Sequence, residues 1–285
     1  MLDRAIVHLS PRSRRILSRR SARRLIGGEG LESACELSAE LNSEGKRVTL
    51  GLLGEDVASE KAARAIAGEE RRALEEIEAR GLDAALSVKL SALGLAVDEE
   101  LCFELLLALV AAADEKGSAV LIDMERSNAT DATLRLYRRL RERGLDNVGL
   151  ALQARLCRTL DDIRDLAELS PRVSICKGSY EEGAQEVAPA AKVHERFLRA
   201  VSRSADSASL VGISTHDRDL IVESRRLLSL AGHEREGYEF QTLLGVDPEL
   251  EIELLEAGEP LRVYVPYGED WYPYVSRRTA RIGER

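Results

Sequence analysis

Residues 148–176 read VGLALQARLCRTLDDIRDLAELSPRVSIC. A short β-rich run, Val148–Gln153, gives way to a charged helical run over 159–169. A Ser170-Pro171 turn signal and a second β-rich run, Arg172–Cys176, follow. Strand, helix and strand in so short a span form the βαβ unit of a parallel sheet. The alternation continues on both sides. Further strands are predicted at Arg47–Leu53, Ala85–Ser91, Ala119–Met124, Leu210–Ser214, Tyr238–Gln241 and Arg262–Val265. Helices are predicted near 57–80, 98–116, 129–143, 188–206, 217–231, 247–257 and 271–282, on spacings such as Leu134, Tyr137 and Leu140. Gly81, Gly117, Gly144, Gly232 and Gly258 punctuate them.

Eight βα units in one chain match the closed (β/α)8 barrel of the TIM type. The rival architecture, an open doubly wound sheet, calls for G-x-G-x-x-G after a strand. Gly28 and Gly30 lack both the third glycine and the preceding strand, and no G-x-x-x-x-G-K-[ST] occurs. A helix over Leu31–Glu44, ended by Gly45, precedes the first strand. The expected organisation is therefore an N-terminal helical arm over 1–45 and the barrel over 46–285.

The chain has 285 residues, 44% of them apolar, enough for a full-sized core. Its 41 basic and 50 acidic residues give a net charge of −9, which disfavours a nucleic-acid partner. Cys35, Cys102, Cys157 and Cys176 are widely spaced without a C-x-x-C pair, the pattern of reduced thiols in a cytoplasmic protein. The longest apolar run, Leu105–Ala113, falls short of the roughly 20 residues a bilayer requires. Charge is uneven: residues 1–28 hold Arg4, Arg12, Arg14, Arg15, Arg19, Arg20, Arg23 and Arg24 against one acid, Asp3. An arm whose Ile6, Leu9, Ile16, Leu17, Leu25 and Ile26 form an apolar edge explains this better than a transit peptide, because no cleavage signal follows. Such an arm also suits peripheral contact with the anionic inner face of a membrane, at about 1 kcal/mol per well-placed cation.

In a barrel of this kind the chemistry belongs at the carboxyl ends of the strands. Those ends read Val88-Lys89-Leu90-Ser91, Ile122-Asp123-Met124-Glu125, Leu152-Gln153-Ala154, Cys176-Lys177-Gly178-Ser179-Tyr180, Ser214-Thr215-His216-Asp217, Glu239-Phe240-Gln241 and Val263-Tyr264-Val265-Pro266-Tyr267. Charged and amide groups inside apolar strands are costly unless paired or used. Lys89 and Asp123, on adjacent strands, suit either a structural ion pair or a site. His216 alone suits a core histidine, and the Lys177-Gly178-Ser179 turn suits either a tight exit or an anion cradle. Glu239 and Gln241 share a face and suit a satisfied network. In the last helix, Arg277-Arg278 form a carboxylate clamp with Lys89 if both turn toward the mouth, with the Tyr264 ring beside them. The alternative there is a solvated basic helix end.

Scattered histidines (His8, His194, His216, His233) argue against a metal centre, and the absence of G-x-S-x-G against a serine hydrolase. A Schiff-base lyase using Lys89 or Lys177 stays open, as does a barrel that only binds. A small, flat, anionic ligand is implied.

Taken in order, one motif per βα unit, these residues resemble the flavin-dependent proline dehydrogenases in their short monofunctional form. The similarity runs from about Gly28 to the end and includes Val48-Thr49-Leu50, Leu53-Gly54-Glu55 and Tyr274-Val275-Ser276-Arg277-Arg278. The resemblance implies noncovalent FAD at the barrel mouth, with Met124, Gln153, Lys177, Gly178, Ser179, Thr215 and His216 at flavin-contact positions. It implies Lys89, Arg277 and Arg278 on the carboxylate of L-proline, Tyr264 beside the ring and Asp123 at the catalytic carboxylate position. The implied reaction moves hydride from the ring carbon next to nitrogen onto flavin N5. Δ1-pyrroline-5-carboxylate results, for a separate pyrroline-5-carboxylate dehydrogenase, and the electrons pass to a quinone. Departures from the family pattern are Ser174 in place of an arginine, with Arg172 expected to reach upward instead, and Arg281 in place of a glutamate. Ser179 and Asp217 are smaller changes. Ser174 and Arg281 together leave a related imino acid such as hydroxyproline as an alternative substrate.

Overall fold

The computed structural model describes residues 24–180 and 182–282, with residues 277 and 279–282 described by backbone alone. Eight parallel strands close in sequence order. They are β1 (Arg47–Leu52), β2 (Ala84–Val88), β3 (Val120–Ile122), β4 (Val148–Gln153), β5 (Arg172–Cys176), β6 (Leu210–Ser214), β7 (Tyr238–Leu243) and β8 (Leu261–Tyr267). The helices are α1 (Leu31–Ser43), α2 (Glu60–Ala79), α3 (Glu99–Glu115), α4 (Thr130–Arg141), α5 (Thr159–Leu166), α6 (Ala190–Ala205), α7 (Arg218–Leu230), α8 (Pro248–Glu256) and α9 (Trp271–Ile282). Closure is made by β8 on β1, in register from Arg47 with Arg262 to Leu52 with Tyr267. The chain is thus the expected (β/α)8 barrel.

Alternation along the strands divides the core. Val48, Leu50, Val211, Ile213, Val263 and Val265 are fully buried between sheet and helices. Thr49, Ser174, Glu239, Gln241 and Arg262 instead line space inside the barrel. This interior departs from the layers of branched apolar side chains usual in the fold. Each helix must start just beyond the carboxyl end of a strand, and side-chain caps mark several starts. Ser59, Asp98, Asp217 and Asp247 accept hydrogen bonds from the N–H groups of Ala62, Leu101, Leu220 and Leu250.

Two helices depart from simple βα alternation. α1 packs on β1 and β8, burying Ala34, Cys35 and Leu41, and so covers the seam where the barrel closes. α9, following β8, is thereby free to lie elsewhere. Its Trp271, Tyr274 and Val275 form a small second core with Leu25, Ile26 and Leu53. The Trp271 indole N–H also donates to Glu29 Oε1 at 3.0 Å. Leu25 and Ile26 therefore make the apolar contact expected of them. Ile6, Leu9, Ile16, Leu17 and the proposed membrane contact lie outside the described residues. Among the described residues no helix is long and apolar enough to cross a membrane.

Two strands end two or more residues earlier than predicted, β2 at Val88 and β3 at Ile122. The Ala92 and Leu93 N–H groups both donate to the Lys89 carbonyl at 3.1 Å, which turns the chain away from the ladder. Ser91 donates its N–H and hydroxyl to Glu125 at 2.9 and 2.5 Å. The lost strand residues are the ones that build the mouth.

Candidate active site

A cavity of about 830 Å³ opens at the carboxyl ends of the strands, lined by Lys89, Asp123, Met124, Ser179, Tyr264 and Arg278 among others. Lys89, at the exit of β2, is only 9% exposed. It has no hydrogen bond or ion pair among the described residues, so the structural Lys89–Asp123 pair that the sequence allowed does not form directly. Burial acts to lower its pKa, but Asp123, Glu55 and Glu125 nearby outweigh it, and the net shift is upward. Lys89 is held as a buried ammonium facing open space.

Asp123, just past β3, accepts a hydrogen bond from the Ser87 hydroxyl at 2.7 Å. Burial raises its pKa, with Lys89 and the Ser87 hydrogen bond pulling the other way. Tyr264 projects inward from β8 and lies across β1. Only Gly51 permits this: a Cβ there would stand 2.7 Å from ring carbons of Tyr264. Arg278 reaches the same cavity because α9 lies at the mouth, and its guanidinium sits 5.4 Å from the centre of the Tyr274 ring. The side chains of Arg277 and Arg281 lie outside the described residues. Cys176 also lines the cavity, but burial pushes its thiol up to about 12, so it is no nucleophile there.

The remaining predicted residues form the opposite wall and rim. Gln153, at the end of β4 and 2% exposed, donates from Nε2 to the carbonyls of Met124 at 2.9 Å and Glu125 at 2.7 Å. Its Oε1 is buried without a partner among the described residues. Gly178 turns with φ +98°, and a Cβ there would approach Gln153 Oε1 to 2.5 Å and Arg155 Cδ to 2.6 Å. Lys177 pairs with Asp217 at 2.6 Å, and Thr215 Oγ1 accepts from the Asp217 N–H at 3.2 Å. His216 Nε2 accepts from the Leu243 N–H at 3.1 Å, which requires a lone pair on that nitrogen. Met124 and Ser179 line the cavity itself, Gln153 and Gly178 support its wall, and Lys177, Thr215 and His216 occupy the adjoining strand ends.

One expectation is corrected. Arg172 does not reach upward in place of Ser174. It starts β5, one inward-facing layer below Ser174, and lines a deeper void instead of the mouth cavity. Ser174 donates to Gln241 Oε1 at 2.5 Å, Gln241 Nε2 donates to Glu239 Oε1 at 2.9 Å, and Arg262 Nε donates to the same oxygen at 2.6 Å. Glu239 and Gln241 are thus a satisfied network.

Sequence reading missed three contributors. Gly51 and Glu125 show no local signal for their parts, since each acts on a distant segment. Glu70 was findable. It lies on the buried stripe of α2 with Ala63, Ala67, Ala73, Leu74 and Ile77, where a carboxylate breaks the apolar pattern. It is 3% exposed with Oε2 unpartnered among the described residues, and burial raises its pKa to about 8.

The fold and cavity define a (β/α)8 barrel whose mouth brings a buried ammonium, a guanidinium and a carboxyl group into one cavity. The family model for proline dehydrogenase matches residues 34–280, and the chain belongs to that family of oxidoreductases. Proline dehydrogenase 1 of Bacillus subtilis is 36% identical over 264 residues, covering 92% of this chain and 87% of that protein. Proline dehydrogenase of Deinococcus radiodurans is 34% identical over 264 residues, covering 91% and 85%. Among solved structures, proline utilization A of Bdellovibrio bacteriovorus, inactivated by N-propargylglycine, superposes with a TM-score of 0.84 at 19% identity. That match covers 90% of this chain and 32% of the larger protein, and shows the fold alone.

Proposed function

We propose that this chain is an FAD-dependent dehydrogenase oxidising L-proline to Δ1-pyrroline-5-carboxylate. A quinone takes the electrons, and a separate pyrroline-5-carboxylate dehydrogenase takes the product. The observation that carries this reading is Lys89, a buried ammonium with no direct partner among the described residues, in one cavity with Arg278 and Asp123. Such a group calls for an anion. The names of the relatives make proline the fitting one.

The residues suit a flavin. Gln153 Oε1 is a buried acceptor without a donor, beside a glycine turn that no side chain could share. Met124, Gln153, Lys177, Gly178, Ser179, Thr215 and His216 would hold FAD. FAD held there would supply the two-electron acceptor that oxidation of the ring carbon next to nitrogen requires, with a quinone as the final acceptor.

The chain's own residues do the rest. Lys89 and Arg278, with Arg277 as the third cation, fix the proline carboxylate, so the reacting carbon is presented in one pose. Tyr264 packs beside the ring, its place made by Gly51. Asp123 faces the ring nitrogen, and its raised pKa suits it to receive the proton that nitrogen gives up. Lys89 stays charged and so acts as a clamp; a Schiff-base lysine needs the free amine.

The test is the anaerobic absorbance spectrum of the purified protein before and after L-proline. Flavin bands that bleach support the reading. Yellow protein that proline leaves unchanged rejects proline as substrate, and colourless protein that ignores added FAD rejects the dehydrogenase.

A further inference from the structure

Below the active-site cavity the barrel holds a second, half-open void of about 40 Å³, lined by Gly149, Arg172, Ser174, Glu239, Gln241 and Arg262 among others. It has room because the inward position on β4 is glycine. A Cβ at Gly149 would stand 3.3 Å from both the Arg172 carbonyl oxygen and Leu121 Cδ1. The void sits toward the amino ends of the strands, away from the mouth, since Arg172 and Leu210 open β5 and β6.

The charges around it do not balance. Glu239 is the one carboxylate among the described lining residues. It is already engaged by Arg262 Nε at 2.6 Å and by Arg47 at 3.5 Å from outside the void. Arg262 spends a second donor on the Val48 carbonyl at 2.8 Å. The Arg172 guanidinium has no hydrogen bond or ion pair among the described residues. Burial and the repulsion of Arg262 and Arg47, with Glu239 opposing them, push its pKa below the ordinary arginine range. Two guanidinium groups therefore share a half-open space with one carboxylate, and the Arg172 guanidinium has five donors and no acceptor. A partly buried cation of this kind, set beside a second guanidinium, favours an anion next to it.

We propose that this void binds a small monovalent anion of the halide class, chloride for a chain in salt solution, held by the Arg172 guanidinium beneath the Glu239–Arg262 pair. Its size decides the class. About 40 Å³ accepts a single ion but neither a phosphate nor an amino-acid carboxylate. The ion binds the folded chain alone and so raises its stability. The inference is independent of the proposed reaction.

The test is thermal unfolding of the full chain with its cofactor, at constant ionic strength, as gluconate is exchanged for chloride or bromide. The expected result is a saturable rise in Tm of about 3–5 °C with either halide, absent in Arg172→Met. Equal Tm in gluconate and chloride overturns the proposal, and so does a halide response that survives in Arg172→Met. Should that variant fail to fold, crystals of the unmodified protein soaked in bromide decide. An anomalous peak within hydrogen-bond distance of the Arg172 guanidinium supports the site, and its absence overturns it.

Discussion

The middle of the barrel and its mouth are built from the same strands, yet they treat charge in opposite ways. In the middle, Glu239 is 1% exposed and takes donors from Arg262, Gln241 and Arg47, while Ser174 closes the chain of bonds on Gln241. At the mouth, Lys89 is 9% exposed and is met directly by no described residue, and Asp123 has one hydroxyl partner. A satisfied buried network specifies structure. A buried charge left without a direct partner, and held charged by acids at a distance, marks a position kept for something outside the chain. The distinction lies in the pairing of the side chains, since their types are the same in both regions.

The largest effect is expected where pairing is complete. Glu239→Leu leaves Arg262 buried and unopposed, and breaking such a pair costs about 3–5 kcal/mol. Chemical unfolding should show that loss in the midpoint. A change under about 1 kcal/mol would mean the network is no more than a satisfied ornament of the fold. At the mouth the loss should be smaller. Lys89→Met breaks no direct pair among the described residues and gives up only the through-space attraction of Asp123, Glu55 and Glu125, so it destabilises less than Glu239→Leu. The loss of a charge-assisted bond to the substrate carboxylate, about 1.5–3 kcal/mol, lowers kcat/KM for proline some 10- to 150-fold. If Lys89→Met destabilises as Glu239→Leu does, the two regions are not different in kind.

The fold was legible because it is written in local pattern. β4, β5 and β6 end where their apolar runs end, and Gly117, Gly144 and Gly258 each turn with positive φ just after a helix. The candidate site was legible in part, since charged residues at strand ends stand out against apolar runs. What the sequence could not express is pairing across distance. Nothing near Arg172 says that Glu239 is already engaged, nothing near Gly51 names Tyr264, and Ser91 and Glu125 are joined only by folding. The shortening of β2 and β3 has the same origin, because residues with strand propensity were withdrawn by contacts their neighbours do not encode.

Glu70 sharpens the comparison from behind the mouth. Its folded pKa, about 8, is above the ordinary value of 4.5, because burial disfavours the carboxylate; Lys89 opposes this and Asp123 adds to it. The folded state therefore keeps a proton that the unfolded chain releases. Stability from this group is complete below about pH 4.5 and declines as pH rises toward 8, at about 1.4 kcal/mol per unit at most. Glu70→Gln should flatten that part of the stability–pH curve and be the more stable protein at neutral pH. Parallel curves for the two proteins would mean that Glu70 ionises freely. The groups facing it are Lys89, Asp123, Tyr264 and Tyr267, so a change in the pH profile of KM is the companion measurement.

The smallest expected effect falls on Ser174, one of the residues that belong to both regions. Ser174 lines the mouth cavity and the deeper void, and its hydroxyl donates to Gln241 Oε1 at 2.5 Å. Ser174→Ala removes one neutral donor and leaves the amide oxygen to a water from either side, so the expected loss is about 1 kcal/mol. If the middle network only supports the barrel, kcat/KM for proline stays within about twofold, because Lys89, Asp123 and Arg278 are untouched. A tenfold fall in kcat at unchanged KM would show instead that the network orders the floor of the active site, and the boundary between the two regions would then lie below Ser174 rather than at it.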